Sequence, residues 1–328
     1  MNALVTGATG FIGSHLAAEL LKQGHNVRCL VRKTSGLRWL EGLNVGLCQG
    51  DCEDRQSLSA AVRGVDWIFH LAGLTKARSE DDFFRVNAQG TENLIQAADE
   101  EAGKTGLMRF VYLSSLSAAG PSMNGNPVTE EKEPHPVSEY GKSKLMGEKA
   151  VLEYAARLPV VIIRPPAVYG PRDRDFYQLF RYLKKGVYPY LGESRFSLIY
   201  VDDLVSGIIA AAVSPEAPGK VFFLSDGRVY TNKEIAFAIS EVFSPGRQQQ
   251  RPVRIPVPKF MMPVIAGVSR LDKKGSGIIN RDKIRELKYS NWTCDSRRAG
   301  REIGFMPKIT LKEGIKWTAD WYRIHQWL

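Results

Sequence analysis

The sequence is poor in the residues that build disulfide-bonded or zinc-bound domains. Its 328 residues include four cysteines, Cys29, Cys48, Cys52 and Cys294. They are too scattered for a disulfide framework, and no pair of histidines lies near Cys48 and Cys52 to complete a zinc site. We therefore expect four free thiols in a reducing cytoplasm and no metal centre.

Long apolar runs are also missing. No run approaches the roughly 18 residues that a membrane-spanning helix needs. The sequence begins with an apolar run, Ala3–Val5, and lacks a basic region before it, so we expect no signal peptide. With 44% hydrophobic and 24% charged residues, the composition predicts an ordinary soluble globular protein, which we expect to be cytoplasmic.

Acidic residues are scarce in one C-terminal segment. Residues 247–301 contain 14 Lys and Arg against 4 Asp and Glu, which accounts for the whole formal net charge of +10. This basic segment has three interpretations: a solvated face, a site for an anionic tail of a small-molecule substrate, or contact with a negative membrane surface. Membrane contact is not favoured, and we expect no nucleic-acid partner because the segment carries no nucleic-acid-binding motif.

Short apolar runs alternate with helical patterns over the first 165 residues. The runs predict strands at Ala3–Val5, Val27–Val31, Val45–Leu47, Trp67–His70, Phe110–Leu113 and Val160–Ile163. The patterns predict helices at Phe11–Gln23, Ser57–Val62, Asp81–Ala102 and Glu139–Arg157. Such alternation is typical of an α/β fold with a Rossmann-type, doubly wound parallel sheet.

Proline and glycine interrupt the pattern after Pro165, although helical stretches recur. We therefore predict a dinucleotide-binding Rossmann domain over 1–165, to which parts of 195–225 return. A smaller C-terminal α/β domain over 166–328 is expected to bind the substrate at the carboxyl ends of the strands.

A glycine-rich motif lies between the first predicted strand and helix. Residues 6–13 read Thr-Gly-Ala-Thr-Gly-Phe-Ile-Gly. Glycines at this spacing let the backbone approach a pyrophosphate, and the helix N-terminus supplies free N–H groups. The motif thus predicts cofactor binding by Gly7, Thr9, Gly10, Phe11 and Ile12; the alternative is an ordinary glycine turn.

The second predicted strand ends on two cations, Arg32 and Lys33. An NAD-selective site usually has an acidic residue there for the ribose hydroxyls. Two cations suit a 2′-phosphate instead, so NADP is favoured over NAD, unless both side chains point to solvent. Asp51, followed by Cys52, is placed after the third strand to accept from the adenine amine.

A serine, a tyrosine and a lysine form the candidate catalytic set. Ser114 and Ser115 end the fifth predicted strand, and Tyr140 and Lys144 share one face at the start of a helix. Tyrosine, with a pKa of about 10, is a poor base at neutral pH, but a lysine ammonium and a nicotinamide cation beside it favour the phenolate. Tyr140 then exchanges a proton with a carbinol or carbonyl oxygen that Ser115 holds.

In combination these motifs resemble those of the extended short-chain dehydrogenases/reductases, the NAD-dependent epimerase/dehydratase superfamily. The resemblance covers essentially the whole chain. It is carried, in family order, by Thr6–Gly13, Gly50-Asp51, His70–Gly73, Val86–Thr91, Leu113–Ser115, Tyr140–Lys144, Arg164–Pro171 and Tyr200–Leu204.

The resemblance implies roles for further residues. The cofactor would contact Leu71, Ala72, Gly73, Asn87, Ser114, Tyr140, Lys144, Pro166 and Val168, with Asn87 behind the active site. The catalytic serine would stand five residues before Gly120, at Ser115, with Ser117 as the alternative because the family's Tyr-Gly is here Ala119-Gly120. Relatives often form homodimers through a four-helix bundle, for which Asp81–Ala102 and Glu139–Arg157 are the candidates.

Two departures from the nucleotide-sugar members bear on the substrate. Where those enzymes resemble one another in an Asn and an Arg that meet the nucleotide diphosphate, this chain has Ala167 and Phe196, with Arg195 adjacent. Arg164-Pro165-Pro166 is similar to the 3β-hydroxysteroid dehydrogenase and dihydroflavonol reductase branches. We expect Thr75, Ser115, Ala167 and Phe196 to contact the substrate.

The leading hypothesis is an NAD(P)-dependent oxidoreductase that transfers hydride between the cofactor and a C–OH or C=O carbon of an apolar or acyl substrate. A nucleotide-sugar epimerase or dehydratase using the same Ser-Tyr-Lys chemistry is the alternative. A non-catalytic cofactor-binding subunit or regulator is a minor alternative, because such relatives have lost the Tyr or Lys that this chain keeps.

Overall fold

The computed structural model describes residues 1–243, 252–257 and 281–328, and its largest element is a parallel sheet of seven strands. The strands are β1 (Asn2–Thr6), β2 (Asn26–Val31), β3 (Gly46–Gln49), β4 (Trp67–His70), β5 (Arg109–Leu113), β6 (Val160–Arg164) and β10 (Lys220–Phe223). Their order is β10-β6-β5-β4-β1-β2-β3, and all six pairings are parallel. This order confirms the predicted doubly wound sheet, whose strands bury both faces.

Helices cover both faces of this sheet. The helices of the described residues are α1 (Phe11–Lys22), α2 (Arg55–Val62), α3 (Glu80–Phe83), α4 (Gly90–Thr105), α5 (Leu116–Ala119), α6 (Glu139–Leu152), α7 (Asp175–Lys184), α8 (Val201–Val213), α9 (Asn232–Phe243), α10 (Arg281–Leu287), α11 (Arg297–Ile303) and α12 (Leu311–Ile324). Successive residues of β1 enter opposite cores: Ala3 and Val5 pack with α1 and α8, and Leu4 packs with α2 and α4. This is the strict alternation of a strand that is buried on both sides.

The C-terminal part is a smaller α/β unit. Four short strands, β7 (Ala167–Tyr169), β9 (Arg195–Tyr200), β11 (Val229–Thr231) and β13 (Asn291–Trp292), form one sheet, and β8 (Val187–Tyr190) pairs with β12 (Val253–Pro256). Its core is rich in aromatic side chains such as Tyr169, Phe180, Tyr200 and Tyr322. Between β9 and β11, α8 and β10 return to the large sheet.

Two predicted helices differ from the structure. The helix predicted over Asp81–Ala102 is interrupted by a π-helical segment, Phe84–Gln89, and the one predicted over Glu139–Arg157 ends at Leu152. Asn87 in the π-helical segment is buried, and its side chain bonds to both backbone groups of Leu74 and to Ser143. A widened turn of this kind is often found at functional sites.

In the described ranges no helix is both long and apolar enough to cross a bilayer. All four cysteines are free thiols, as predicted. About half of the basic segment, residues 247–251 and 258–280, lies outside the described residues. The three interpretations of its charge therefore remain predictions.

Candidate active site

The glycine-rich turn leaves backbone N–H groups open at the start of α1. Gly7 has a left-handed φ of 70°, and the Gly10 N–H donates to the Gly7 carbonyl at 3.0 Å. Gly10 caps the helix without any side chain that satisfies the first N–H groups. This cradle fits a pyrophosphate, because free N–H groups and the positive end of the helix dipole face the same point.

Gly13 tests that cradle by mutation. A Cβ added at Gly13 would stand 2.2 Å from the Gly7 carbonyl oxygen, so the backbone of the turn has to move. We expect Gly13→Ala to weaken NADPH and NADH binding at least tenfold, measured by fluorescence titration, and to lower the Tm. Gly103→Ala in α4 is the matched control: nothing lies within 4 Å of its added Cβ, and alanine in a helix is favoured by roughly 0.5–1 kcal/mol. Equal cofactor affinity in both variants would contradict the assignment.

The groups expected at the adenosine end lie at the carboxyl ends of β2 and β3. The side chains of Arg32 and Lys33 are exposed, and the Arg32 N–H donates to the Ser35 hydroxyl at 3.1 Å. The half-buried Asp51 carboxylate accepts from the Glu53 N–H. Cys52 is buried, and its burial raises the thiol pKa to about 12.

The turn after β4 closes against the glycine motif. The Thr6 hydroxyl accepts from the Ala72 N–H and pairs with His70 Nδ1 at 2.7 Å, and His70 Nε2 pairs with the Thr91 hydroxyl at 2.9 Å. Burial first, and then the Lys144 charge, lowers the pKa of His70 to about 3. The ring is therefore neutral and holds the turn that contains Leu71, Ala72 and Gly73.

Ser115 and Tyr140 are brought together by two helix starts. Ser115 follows β5 and caps α5, with its hydroxyl accepting from the Ser117 N–H at 3.1 Å, while Ser138 caps α6. The Ser115 hydroxyl lies close enough to the Tyr140 hydroxyl to lower the pKa of Tyr140. The alternative serine, Ser117, bonds instead to Glu286 at 2.9 Å. The geometry therefore favours Ser115 over Ser117.

Lys144 is buried beneath Tyr140, one turn along α6. Its Nζ donates to the Leu113 carbonyl at 2.6 Å and lies 4.2 Å from the centre of the Tyr112 ring. Burial lowers its pKa to about 7, although the charge of Glu148 opposes the shift.

The pKa of Tyr140 is raised, whereas the neighbouring Lys144 led us to expect a lowered pKa. Burial, helped by the charge of Glu286, raises the pKa of Tyr140 to about 12 in the protein alone, although the Ser115 hydroxyl opposes the shift. The chain by itself therefore keeps the phenol protonated, and Lys144 does not overcome the desolvation of the phenolate.

A buried ion pair behind the catalytic helix was missed by the sequence argument. Glu148 lies four residues beyond Lys144 and is 1% exposed; Arg164 donates to both of its carboxylate oxygens, at 2.8 and 2.5 Å. Ser114 bonds to the same carboxylate. The pair joins α6 to the end of β6, just before Pro165 and Pro166. The sequence indicates Glu148 only through its position, because it lies four residues after Lys144 as Lys144 lies four residues after Tyr140.

A second feature that the sequence did not predict is the contact between α10 and the start of α6. Asp282 accepts from the backbone N–H groups of Glu139 and Tyr140, at 2.7 and 3.0 Å. Glu286 accepts from the Ser117 and Ser138 hydroxyls. These contacts join residues about 140 positions or more apart, and the sequence gives no local signal for them.

The expected substrate residues lie in the loop after β4 and on strands of the C-terminal unit. Thr75 is exposed in the loop after β4, Ala167 is exposed at the start of β7, and Pro166 and Val168 flank Ala167. Phe196 is half-buried on β9, where it pairs with Tyr230 on β11 and Trp292 on β13. Since paired residues of a sheet share a face, three aromatic side chains stand side by side there.

The described residues contain no group of three or more His, Cys, Asp or Glu that is arranged to hold a metal ion. Lys76, in the loop after β4, forms a 2.6 Å ion pair with Asp175 at the start of α7.

Comparison with known proteins agrees with the fold and the motifs. The family model described as "NAD dependent epimerase/dehydratase family" matches residues 3–224. A ceramide reductase from Caulobacter vibrioides is 33% identical over 99% of this chain and 95% of its own length. The chain therefore belongs to the NAD-dependent epimerase/dehydratase family, within the extended short-chain dehydrogenases/reductases, whose members use a nicotinamide cofactor.

Other relatives span the chemistry of this family. A 3β-hydroxysteroid dehydrogenase/Δ5→4-isomerase from Mycobacterium tuberculosis is 30% identical over 97% of this chain and 90% of its own. The crystal structure of a UDP-glucose 4-epimerase from Thermotoga maritima with UDP-glucose is 25% identical, with a TM-score of 0.78 over 99% of this chain and 100% of that one. The family is thus established, and the choice of reaction within it depends on the substrate side of the site.

Proposed function

We propose that this protein is an NAD(P)-dependent reductase or dehydrogenase that acts on one C=O or C–OH carbon of an apolar or acyl molecule and releases the cofactor after each turnover. The observation that carries this proposal is the substitution of Ala167 and Phe196 for two diphosphate ligands, together with the aromatic row of Phe196, Tyr230 and Trp292. Each charge-assisted contact is worth roughly 1.5–3 kcal/mol. The loss of two such contacts therefore lowers the affinity for a nucleotide sugar by about 10²-fold or more.

Two relatives support an apolar substrate, since one is named as a ceramide reductase and the other as a steroid dehydrogenase. The named epimerase structure supports the alternative. Arg195, next to Phe196, is exposed and is the one cation of β9. In the alternative function, it is the side chain that would replace a missing diphosphate ligand. In the apolar proposal this side chain stays in solvent.

The residues have separate roles in the proposed reaction. A bound nicotinamide supplies or accepts the hydride. In reduction, Tyr140 donates its phenolic proton to the carbonyl oxygen, and Ser115 donates a hydrogen bond to that oxygen as negative charge develops. Lys144 orients the cofactor from the buried side and supplies positive charge near the phenol. Asn87 and the Glu148–Arg164 pair fix the surrounding backbone.

The cofactor is proposed to be NADP, with Arg32 and Lys33 at the 2′-phosphate. The protein is proposed to act as a homodimer in the cytoplasm. Arg32→Ser should raise the KM for NADPH about tenfold or more while leaving that for NADH within a few-fold, since one charge-assisted contact is lost. Equal changes for both cofactors would show that Arg32 does not read the phosphate.

The proposal is tested by comparing two substrate classes. We expect NADPH or NADH oxidation, followed by absorbance, with at least one of a ketosteroid, a β-oxoacyl thioester and phenanthrenequinone. We expect no thermal shift with UDP- or dTDP-sugars. A large shift with a sugar nucleotide, together with cofactor that stays bound through gel filtration, would establish the epimerase or dehydratase alternative instead.

A further inference from the structure

The short helix α10 places two buried carboxylates against the catalytic helix. Asp282 is 9% exposed and Glu286 7% exposed, although both stand in the most basic part of the sequence. The two residues are one helical turn apart, so both side chains face α6. Burying two carboxylates costs free energy unless each one is hydrogen-bonded or paired, which both are.

Asp282 bonds to the first turn of α6. The first N–H groups of a helix have no intrahelical acceptor, and Asp282 accepts from two of them, those of Glu139 and Tyr140, with one carboxylate oxygen each. Ser138 satisfies a third, that of Gly141. Because Tyr140 is itself one of the capped residues, the position of its backbone depends on α10.

Glu286 bonds to the hydroxyls that flank the catalytic pair. Its Oε1 accepts from Ser117 at 2.9 Å and from Ser138 at 3.0 Å, while its Oε2 pairs with Lys283 at 2.8 Å. Burial works against its charge, but Lys283 and the two serine hydrogen bonds outweigh it and hold the pKa of Glu286 below its usual value. Glu286 is therefore a carboxylate at neutral pH.

We propose that Asp282 and Glu286 are positioning residues of the active site: Asp282 fixes the backbone of Tyr140, and the Glu286 carboxylate orients Ser117 and Ser138 on either side of the catalytic pair. This inference rests on the proposed acid–base role of Tyr140. It assigns a role in catalysis to the C-terminal segment, which shares no sequence motif with the catalytic set.

The charge of Glu286 has a definite sign of effect. It raises the pKa of Tyr140, so removing it lowers that pKa. Reduction uses the protonated phenol, so the fall in activity at alkaline pH should move to lower pH. Oxidation uses the phenolate, so the rise in activity with increasing pH should also move to lower pH. Among the described residues, the charged groups that interact with the pair or its partners are Lys283 and Arg285 on α10, Glu139 on α6, Glu80 beside Arg285, and Asp175 near Lys283.

The first experiment measures the phenol without a substrate. Protein labelled with ¹³C at the tyrosine ζ carbon is titrated by NMR with NADP⁺ present, and Tyr140→Phe identifies the Tyr140 signal. We expect Glu286→Gln, which keeps a hydrogen-bond acceptor but removes the charge, to lower the Tyr140 midpoint by several tenths of a pH unit or more. Glu286→Asp should restore most of the difference.

Glu80→Gln is the matched control. Glu80 pairs with Arg285 at 2.9 Å and is 60% exposed, so this variant removes a charge from the same helix contact without touching either serine. The Tyr140 midpoint should then stay near that of the wild type. A midpoint that Glu286→Gln leaves unchanged, or that Glu80→Gln moves equally, would overturn the role of Glu286.

The second experiment measures the α6 backbone by amide hydrogen exchange. Asp282→Ala should speed exchange of the Glu139 and Tyr140 amides at least tenfold while amides near the middle of α6 stay protected. Unchanged exchange would overturn the role of Asp282. The NMR titration and the amide exchange are both measured without turnover. Inactivity towards every ketone would therefore count against the proposed function only, and the roles of Asp282 and Glu286 are decided by these two measurements.

Discussion

Tyr140→Phe should lower turnover by about 10²–10⁴-fold, the usual contribution of a positioned general acid or base. The substitution removes only the hydroxyl that meets Ser115, and the ring keeps its place beside Phe83, whose centre is 6.0 Å away. Cofactor affinity and Tm should therefore stay close to those of the wild type. Steady-state kinetics with NADPH and the best ketone of the panel measure the loss.

Tyr154→Phe provides the control for this prediction. Tyr154 lies just beyond the end of α6 and is half-buried, away from Ser115 and Lys144. Its loss of a hydroxyl should leave turnover within a few-fold. If Tyr140→Phe kept wild-type turnover, the acid–base assignment would be wrong, and the non-catalytic alternative would return.

Glu148→Leu should destabilise the protein by about 3–5 kcal/mol, because it leaves the Arg164 guanidinium buried without a counter-charge. Arg164 is 4% exposed, so water cannot replace the lost carboxylate. For a chain of this size we expect a fall in Tm of about 4–7 °C, measured by calorimetry or circular dichroism.

Two further variants separate the ion pair from simple loss of charge. Asp99→Ala breaks the Arg157–Asp99 pair, whose partners are 60% and 24% exposed, and should cost less than about 1 kcal/mol. The double variant Glu148→Leu with Arg164→Met should recover much of the stability, because no uncompensated charge remains. A Tm for Glu148→Leu equal to that of Asp99→Ala would contradict the account.

The parts of the fold that were predicted correctly are those that local sequence determines. One turn of backbone requires the glycines Gly7, Gly10 and Gly13, and one turn of helix places Tyr140 and Lys144 on the same face. A short stretch of sequence is therefore enough to predict each of these local arrangements. The buried strands were predicted for the same reason, since β4, Trp67–His70, is apolar on both faces.

The α10 contacts and the π-helical segment were not predicted because they depend on residues that are distant in the sequence. Asp282 and Glu286 reach the site through contacts across some 140 residues or more, and their charges were hidden in the excess of Lys and Arg around them. The π-helical segment was missed because the apolar spacing on either side of it still fits a continuous helix. Asn87 explains the segment only once its bonds to Leu74 and Ser143 are seen.

The pKa of Tyr140 shows where residue identity is insufficient. A lysine four residues away suggested a phenolate, yet burial raises the pKa to about 12. Desolvation depends on packing from several elements, including α10, and this packing cannot be read from the spacing of two residues. In reduction the protonated phenol is the form that donates; in oxidation, where the phenolate acts as the base, the positive charge of an oxidised nicotinamide would lower the pKa.

Isotope transfer tests the central claim most directly. The enzyme is supplied with NADPH deuterated at the transferable position and the ketone from the panel, and the products are analysed by mass spectrometry. The account predicts that deuterium appears in the product alcohol and that free NADP⁺ accumulates in equal amount over many turnovers. Deuterium that stays on the cofactor, or activity that appears only with a sugar nucleotide and without release of cofactor, would contradict it.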